Sequence, residues 1–456
     1  MFLGREKELK ELKDQLSSDG KTAVLIYGKR RIGKSTLIAQ ASRSFNGIVI
    51  NHLCVQSTFA GNIEMLSRSV CMALNLPQLH FSTLMDLFDS LKAQKSRMLV
   101  ILDEYQYLKN SGKRNEVDSY MQDVIDHLNA SVKLILCGSY ITIMRELLEE
   151  ENPLFGRFTS VIHLEEFNYL ESAGFYPKAS VRRKIENYAV FGGSPYVLST
   201  LNQSLSLEEN IKKLLLPATG LLRIHIENVM LKEIQKAYDT RIFAVIGNGK
   251  KRYSEINDLL GTDNNGLLGK QLTNLMDMDA VKQTFPINRP NDKKKCFYVI
   301  DDNLMRFYFT FIFGYEGIMA RLGADAFFDL YIKDKLLEFI SWRFEDIALQ
   351  YFEIRIRRGL EKNILDLGSF WYDDPATKTN GEFDCVLKTL EGYEFYECKF
   401  YKNPMKLAEC KKEADQVRKI RNLNCSRIGF ICLSGFDFSS DEYRLISGDD
   451  LFSMDA

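Results

Sequence analysis

Gly28-Lys29-Arg30-Arg31-Ile32-Gly33-Lys34-Ser35-Thr36 decides the fold of this chain. It completes the pattern G-x-x-x-x-G-K-[ST], a loop whose backbone N–H groups curl around a polyphosphate. Upstream, Ala23-Val24-Leu25-Ile26-Tyr27 is an apolar run that reads as a buried strand. Downstream, Thr36 to Ala41 reads as a helix, whose N-terminus adds its partial positive charge. Residues 28–36 are therefore the expected phosphate-binding stretch. Lys34 is expected to reach the β- and γ-phosphates, and Ser35 to ligate Mg²⁺.

The partner motif lies further on. Met98-Leu99-Val100-Ile101-Leu102 runs into Asp103-Glu104, the pattern of a strand buried on both faces. Ligands sit at the carboxyl ends of such strands. Asp103 is expected to hold Mg²⁺ through water, and Glu104 to orient and deprotonate the attacking water. The alternative, that the two carboxylates only cap the next helix, stands against the loop upstream. A third apolar strand, Lys133 to Gly138, ends in Ser139, read as a sensor of the γ-phosphate or as part of a turn. Asn152-Pro153-Leu154-Phe155-Gly156-Arg157 puts Arg157 on a turn, where it either stabilises charge on a transferring phosphoryl group or lies on the surface. Leu9, Leu12 and Leu16 give the first helix an apolar face.

Together these residues resemble the archaeal-type ATPases, P-loop NTPases close to the AAA and STAND classes that also occur in bacteria. The resemblance rests on Phe2-x-Gly4-Arg5-Glu6-x-Glu8-Leu9, on the arginine-rich loop 28–35 and on Leu102-Asp103-Glu104-Tyr105-Gln106. Leu154-Phe155-Gly156-Arg157 and Phe191-Gly192-Gly193-Ser194-Pro195-Tyr196 also carry it. Ser194 departs from the aliphatic residue usual in the family. The resemblance spans the chain and implies ATP as the nucleotide, with Arg5 beside it. In STAND-like relatives a similar Gly-x-Pro turn lies beneath the nucleotide and couples it to domain position; a plain helix–helix turn is the alternative here. A homo-oligomer is compatible with the class, and whether Arg157 acts in its own subunit or across an interface stays open. Many members end in a domain that looks like a PD-(D/E)XK nuclease.

A length of 456 residues allows three or four domains. Hydrophobic residues make up 45% and charged residues 27%, the balance of a soluble globular protein. No apolar stretch approaches the roughly 20 residues of a membrane span. The charged start (Arg5 to Glu8) does not read as a signal peptide, and a cytoplasmic protein without a membrane partner is expected. Nine scattered cysteines form no C-x-x-C pair, which argues against a disulfide frame or zinc site. The net charge of −1 means that any DNA-binding surface must be local.

The expected fold class is α/β: a P-loop NTPase parallel sheet (1–165), then a helical lid (166–237), a winged helix (238–302) and a C-terminal α/β restriction-endonuclease-like domain (303–456). His163, inside the last apolar run of the first domain, reads as a packed core histidine. The 238–302 segment reads as three helices and a hairpin with a basic tip, Arg289 and Lys293-Lys294-Lys295. With Lys270 on the third helix, this surface either touches DNA phosphates or only packs within the protein.

The C-terminal segment suggests a second chemistry. Asp384 and Glu397-x-Lys399 fall on consecutive strand patterns, 13 positions apart. Alternation puts Glu397 and Lys399 on one face. With Asp384, and with Glu345 on a preceding helix, Glu397 is expected to hold Mg²⁺ while Lys399 positions water. That is the PD-(D/E)XK arrangement for phosphodiester hydrolysis. Phe383 stands where the motif's proline would be. The alternative is a nuclease-like fold used only for binding.

Overall fold

The computed structural model describes residues 2–113, 115–231, 239–247, 249–261, 266–374, 379–420 and 423–453. The expected boundary between residues 237 and 238 lies outside them. The chain forms two compact units, the first made of Met1–Glu166 with Ser194–Tyr196 and Asp277–Asp279, the second of the remainder.

The first unit is built on five parallel strands: β1 (Thr22–Tyr27), β2 (Ile48–Leu53), β3 (Met98–Asp103), β4 (Val132–Gly138) and β5 (Ser160–His163). Their order is β2-β3-β4-β1-β5. β1 and β4 are buried along their whole length, as parallel strands covered on both faces must be. Alternation divides their side chains. Val24, Ile26, Ile101 and Ile135 pack with Leu12, Leu16, Leu37 and Ile38 from the helices Glu6–Ser17 and Lys34–Ser42. Ala23, Leu25, Val100 and Leu134 pack on the other face with Leu87, Phe88, Met121 and Val124. Because β1, β4 and β3 are parallel neighbours, the phosphate loop, Ser139 and Glu104, which follow their carboxyl ends, all emerge at one end of the sheet.

In the second unit, helices from Tyr169 to Met230 precede a segment of three short helices (Arg241–Gly247, Tyr253–Leu260, Leu267–Asp277). The antiparallel pair β6 (Val281–Thr284) and β7 (Phe297–Ile300) follows. Lys251 adds a bridge to Tyr298, an element the sequence pattern did not reveal. After the aromatic helix Asn303–Phe311 and the long helix Lys333–Arg357 comes a mixed sheet. Its strands are β8 (Ile364–Asp374), β9 (Thr379–Thr389), β10 (Tyr393–Lys399), β11 (Cys425–Cys432) and β12 (Arg444–Ser447), in that spatial order. β8, β9 and β10 run antiparallel, while β10, β11 and β12 run parallel. The helix Leu407–Arg418 supplies the crossover that a parallel β10–β11 pair requires, burying Cys410, Ala414 and Val417 against Val386, Phe395 and Phe430.

The basic hairpin tip is not a free wing. Ile287 N–H donates to Ser369 O at 2.7 Å, and the Asn288 amide bonds the Trp371 backbone in both directions. Arg289 lies 3.3 Å from Asp373, and the Lys295 ammonium sits 3.6 Å from the centre of a Trp371 ring. Arg289 and Lys295 are thus engaged by β8, whereas Lys293, Lys294 and Lys270 remain exposed. Among the described residues no helix is long and apolar enough to cross a membrane, and all nine cysteines are free thiols.

Candidate active sites

The phosphate loop joins β1 to the helix Lys34–Ser42. Gly28 has φ +152°, and a Cβ there would stand 2.2 Å from the Leu164 carbonyl oxygen; Gly33 has φ +98°. Neither position suits a side chain. Ile32 is buried beneath the loop, while Ser35 and Thr36 stay exposed at the helix N-terminus. Lys34 is 7% exposed, and its ammonium donates to the Gly28 and Lys29 carbonyls at 2.8 Å each.

Two side chains from distant segments meet here. Ser35 Oγ donates to Asp103 Oδ2 at 3.0 Å. Glu104 adopts a left-handed backbone, φ 55°, and its N–H bonds Asp103 Oδ1 at 2.9 Å. The Glu104 carboxylate accepts from Ser139 Oγ at 2.6 Å and from the Gln106 amide. Ser139 is 2% exposed, so Glu104 is steered by buried donors. Burial, then Asp103 and Glu104, push the nearby Cys54 thiol up to about 12, which keeps it protonated. The donor set fits a nucleoside triphosphate with Mg²⁺: loop N–H groups and Lys34 for phosphate, the Ser35–Asp103 pair for the cation.

Other expected site residues take different places. Arg30 donates to the Tyr107 and Tyr140 hydroxyls at 3.2 and 3.1 Å. Arg31, at φ 63°, lies 4.1 Å over the Tyr196 ring, and Pro195 is 3.8 Å from where a Gly33 Cβ would stand. The start of the helix Pro195–Thr200 therefore borders the phosphate loop. Lys29 faces the charge of Asp279. Arg5 is buried and donates to the Glu165 carbonyl and, at 3.5 Å, to the Ile32 carbonyl. It thus touches the phosphate loop through that loop's backbone.

Arg157 lies away from the phosphate loop, in line with the surface alternative within its own subunit. It precedes β5, where Thr159 N–H pairs with Ala23 O. Its guanidinium grips both Asp126 oxygens at 3.1 Å, and Asp126 lies 3.8 Å from Lys21. These are the amino ends of β1 and β5, whereas the phosphate loop leaves their carboxyl ends. Six residues at roughly 3.3 Å rise separate the two ends by about 20 Å, so Arg157 does not reach the phosphate of its own subunit. Nor is His163 simply core: its ring stacks on Tyr27 at 4.7 Å, and Nε2 lies 2.8 Å from Asp279, which also pairs with Arg145 at 2.8 Å.

The second unit brings the C-terminal carboxylates together. The β9–β10 register ends with Cys385 opposite Tyr396, so Asp384 and Glu397 follow as neighbours. Glu345 projects from the helix Lys333–Arg357. Burial first, then Asp384 and Asp346, raise its carboxyl to about 8. Burial also raises Asp384, opposed by Lys250 and reinforced by Glu382. Lys399 Nζ lies 2.7 Å from Glu397 and 3.8 Å from Glu413. The cation at the centre is one the sequence reading missed: Lys250 Nζ is 2.7 Å from Glu382 and 3.5 Å from Asp384. Burial alone would lower Lys250, but Asp384 and Glu382 outweigh it and hold the ammonium charged. Among the described residues no group of three or more His, Cys, Asp or Glu is arranged to hold a metal. The cluster in this conformation does not fit Mg²⁺.

Two stretches of the chain match known families. Residues 2–201 match the family described as an ATPase domain predominantly from Archaea. Residues 308–417 match a family of archaeal and bacterial proteins of unknown function. An uncharacterized protein of Methanocaldococcus jannaschii is 28% identical over 380 residues, 82% of this chain and 82% of its own. The Walker-type ATPase PABY2304 of Pyrococcus abyssi is similar over 68% of this chain and 96% of its own, with 20% identity and a TM-score of 0.48. The ORC2 protein of Aeropyrum pernix, solved in ADPNP–ADP complexes, is similar over 70% of this chain and 94% of its own, at 14% identity and a TM-score of 0.46.

Proposed function

We propose that this protein, whose residues 2–201 match the family described as an ATPase domain predominantly from Archaea, binds ATP with Mg²⁺ at residues 28–36 and hydrolyses it, and that nucleotide state regulates its C-terminal domain. The observation that carries the reading is the meeting of Ser35, Asp103, Glu104 and Ser139 beside Lys34. Lys34 and the loop N–H groups bind the phosphates; Ser35 and Asp103 hold the cation; Glu104, positioned by Ser139 and Gln106, takes a proton from the attacking water. The cation, when bound, neutralises charge on the β- and γ-phosphates.

The 241–300 segment has the order of a winged helix, and the C-terminal sheet with Asp384, Glu397 and Lys399 has that of a PD-(D/E)XK nuclease. On this reading ATP controls a DNA-binding surface and a nuclease-like domain. One observation favours a second reading, a STAND-like switch whose C-terminal domain binds without cutting: the tip residues Arg289 and Lys295 are engaged by β8, and Lys250 fills the carboxylate cluster. The test is phosphate release from ATP together with cleavage of duplex, single-stranded and branched DNA and RNA. Both use Mg²⁺ or Mn²⁺, with Lys34→Ala and Asp384→Ala as controls. Cleavage lost in Asp384→Ala supports the first reading. ATP turnover without cleavage of any substrate supports the switch.

A further inference from the structure

We propose that Arg30 is a catalytic residue of ATP hydrolysis, a guanidinium supplied by the phosphate loop itself that stabilises charge on the transferring phosphoryl group. This rests on reading residues 28–36 as the site of that reaction. Arg30 stands in the loop between Gly28 and Gly33. Its Nη2 donates to Tyr107 Oη at 3.2 Å and to Tyr140 Oη at 3.1 Å. Tyr107 lies on the short helix Tyr105–Lys109 that follows Glu104, and Tyr140 directly follows Ser139. The acceptors of Arg30 are thus carried by the same two segments whose Glu104 and Ser139 meet at 2.6 Å. β4 lies between β1 and β3. A side chain that leaves the end of β1 and reaches Tyr107 therefore passes the end of β4, where Ser139 stands. The two tyrosine rings meet edge to face at 6.1 Å, and the guanidinium carbon lies 5.0 Å from the Tyr140 ring centre.

Phosphoryl transfer spreads negative charge over the γ-phosphate oxygens, and a cation aimed there accelerates the step only if it binds the transition state better than ATP. Arg157 is held by Asp126 at the opposite end of the sheet, whereas Arg30 lies on the side of the loop that carries Glu104. In the step itself the water oxygen bonds the γ-phosphorus and its proton passes to Glu104. The bond to the β–γ bridging oxygen breaks, and its electron pair leaves with ADP. A guanidinium presents planar, forked donors that match phosphate oxygens. Phenol hydroxyls orient that fork and bring no negative charge to cancel it. Tyr107 and Tyr140 are then positioning residues, acting through Arg30.

The test compares full-length, dilute wild type with Arg30→Ala, Arg30→Met, Tyr107→Phe and the double variant Arg30→Ala/Tyr107→Phe, with Lys34→Ala as control. Arg30→Met keeps the stem should the alanine variant fold poorly. Phosphate release gives kcat and KM; ADPNP reports binding of the ground state, and ADP with aluminium fluoride that of the transition state. We expect Arg30→Ala and Arg30→Met to lose about 10²- to 10³-fold in kcat, with KM and ADPNP affinity kept. The aluminium fluoride complex should weaken in step with kcat. Added guanidinium ion should restore part of the turnover lost in Arg30→Ala. Tyr107→Phe should lower kcat by a smaller factor alone, and not at all once Arg30 is gone. Lys34-dependent turnover that is unchanged without Arg30, or a loss confined to KM, overturns the role of Arg30 and leaves the ATPase reading standing. No Lys34-dependent turnover in wild type overturns that reading and the role of Arg30 with it.

Discussion

Ser35 Oγ and Asp103 Oδ2 lie 3.0 Å apart although 68 positions separate them in the chain. This contact joins the phosphate loop to the end of β3, the place proposed for a nucleotide-bound cation. Lys34→Ala is expected to abolish ATP hydrolysis, measured as phosphate release at saturating ATP and Mg²⁺. Ser35→Ala should raise the Mg²⁺ concentration needed for half-maximal turnover. Undiminished turnover in Lys34→Ala would remove the loop from the chemistry.

Glu104 is held by Ser139 and Gln106. Replacing it with glutamine keeps the shape and removes the base. We expect kcat to fall by about 10²- to 10⁴-fold, with ATP still bound in a filter or fluorescence assay. Ser139→Ala should lower kcat by a smaller factor, because one of two donors to the carboxylate remains.

Asp118 is fully buried and accepts from Tyr105 OH at 3.1 Å, Lys109 Nζ at 2.9 Å and Asn152 Nδ2 at 2.9 Å. It ties the helix that follows Glu104 to the turn near residue 152. Asp118→Ala leaves the Lys109 ammonium with Glu146 alone, at 3.4 Å, removes the acceptor of Tyr105 OH and Asn152 Nδ2, and should cost about 1–3 kcal/mol in denaturant unfolding. A loss below about 1 kcal/mol, the worth of an exposed pair, would contradict this role.

Glu345 predicts a pH dependence. Its carboxyl is raised from 4.5 to about 8 by burial and by Asp384 and Asp346. A group that holds its proton more tightly when folded stabilises the fold fully below its unfolded pKa, and that contribution is lost as pH rises through its folded pKa. Glu345→Gln stays neutral throughout. Its Tm relative to wild type should therefore climb as pH is raised from about 4.5 to about 8. A constant difference across that window would show that Glu345 keeps its ordinary affinity for protons.

Arg157 grips Asp126 at the amino ends of the strands. Arg157→Ala should leave the ATP affinity of a dilute, single subunit unchanged and alter its kcat by less than about twofold, with a stability loss of ~1 kcal/mol or less. A large loss of turnover that persists on dilution would contradict the placement.

The phosphate loop, β1, β3 and Ser139 were legible because each is a local pattern: an apolar run ending in the residues that do chemistry. The carboxylate pair Asp384 and Glu397 was legible for the same reason, since their strands are consecutive. Three features were not. Arg157 sits in a recognisable motif, but which end of the sheet it occupies depends on the β1–β5 register. His163 lies in an apolar run, yet its partner Asp279 is more than a hundred positions away. Lys250 has no motif at all; its importance comes from Glu382 and Asp384, reached only after the chain folds back.

Gly28 carries a consequence for how this protein meets its ligand. The Leu164 carbonyl fills the space where a side chain at residue 28 would stand, so the residue after β5 limits the courses the loop can take. A loop confined in this way has less freedom to lose on binding, so any replacement of Gly28 disturbs the seat of the phosphates through the sheet rather than through the ligand.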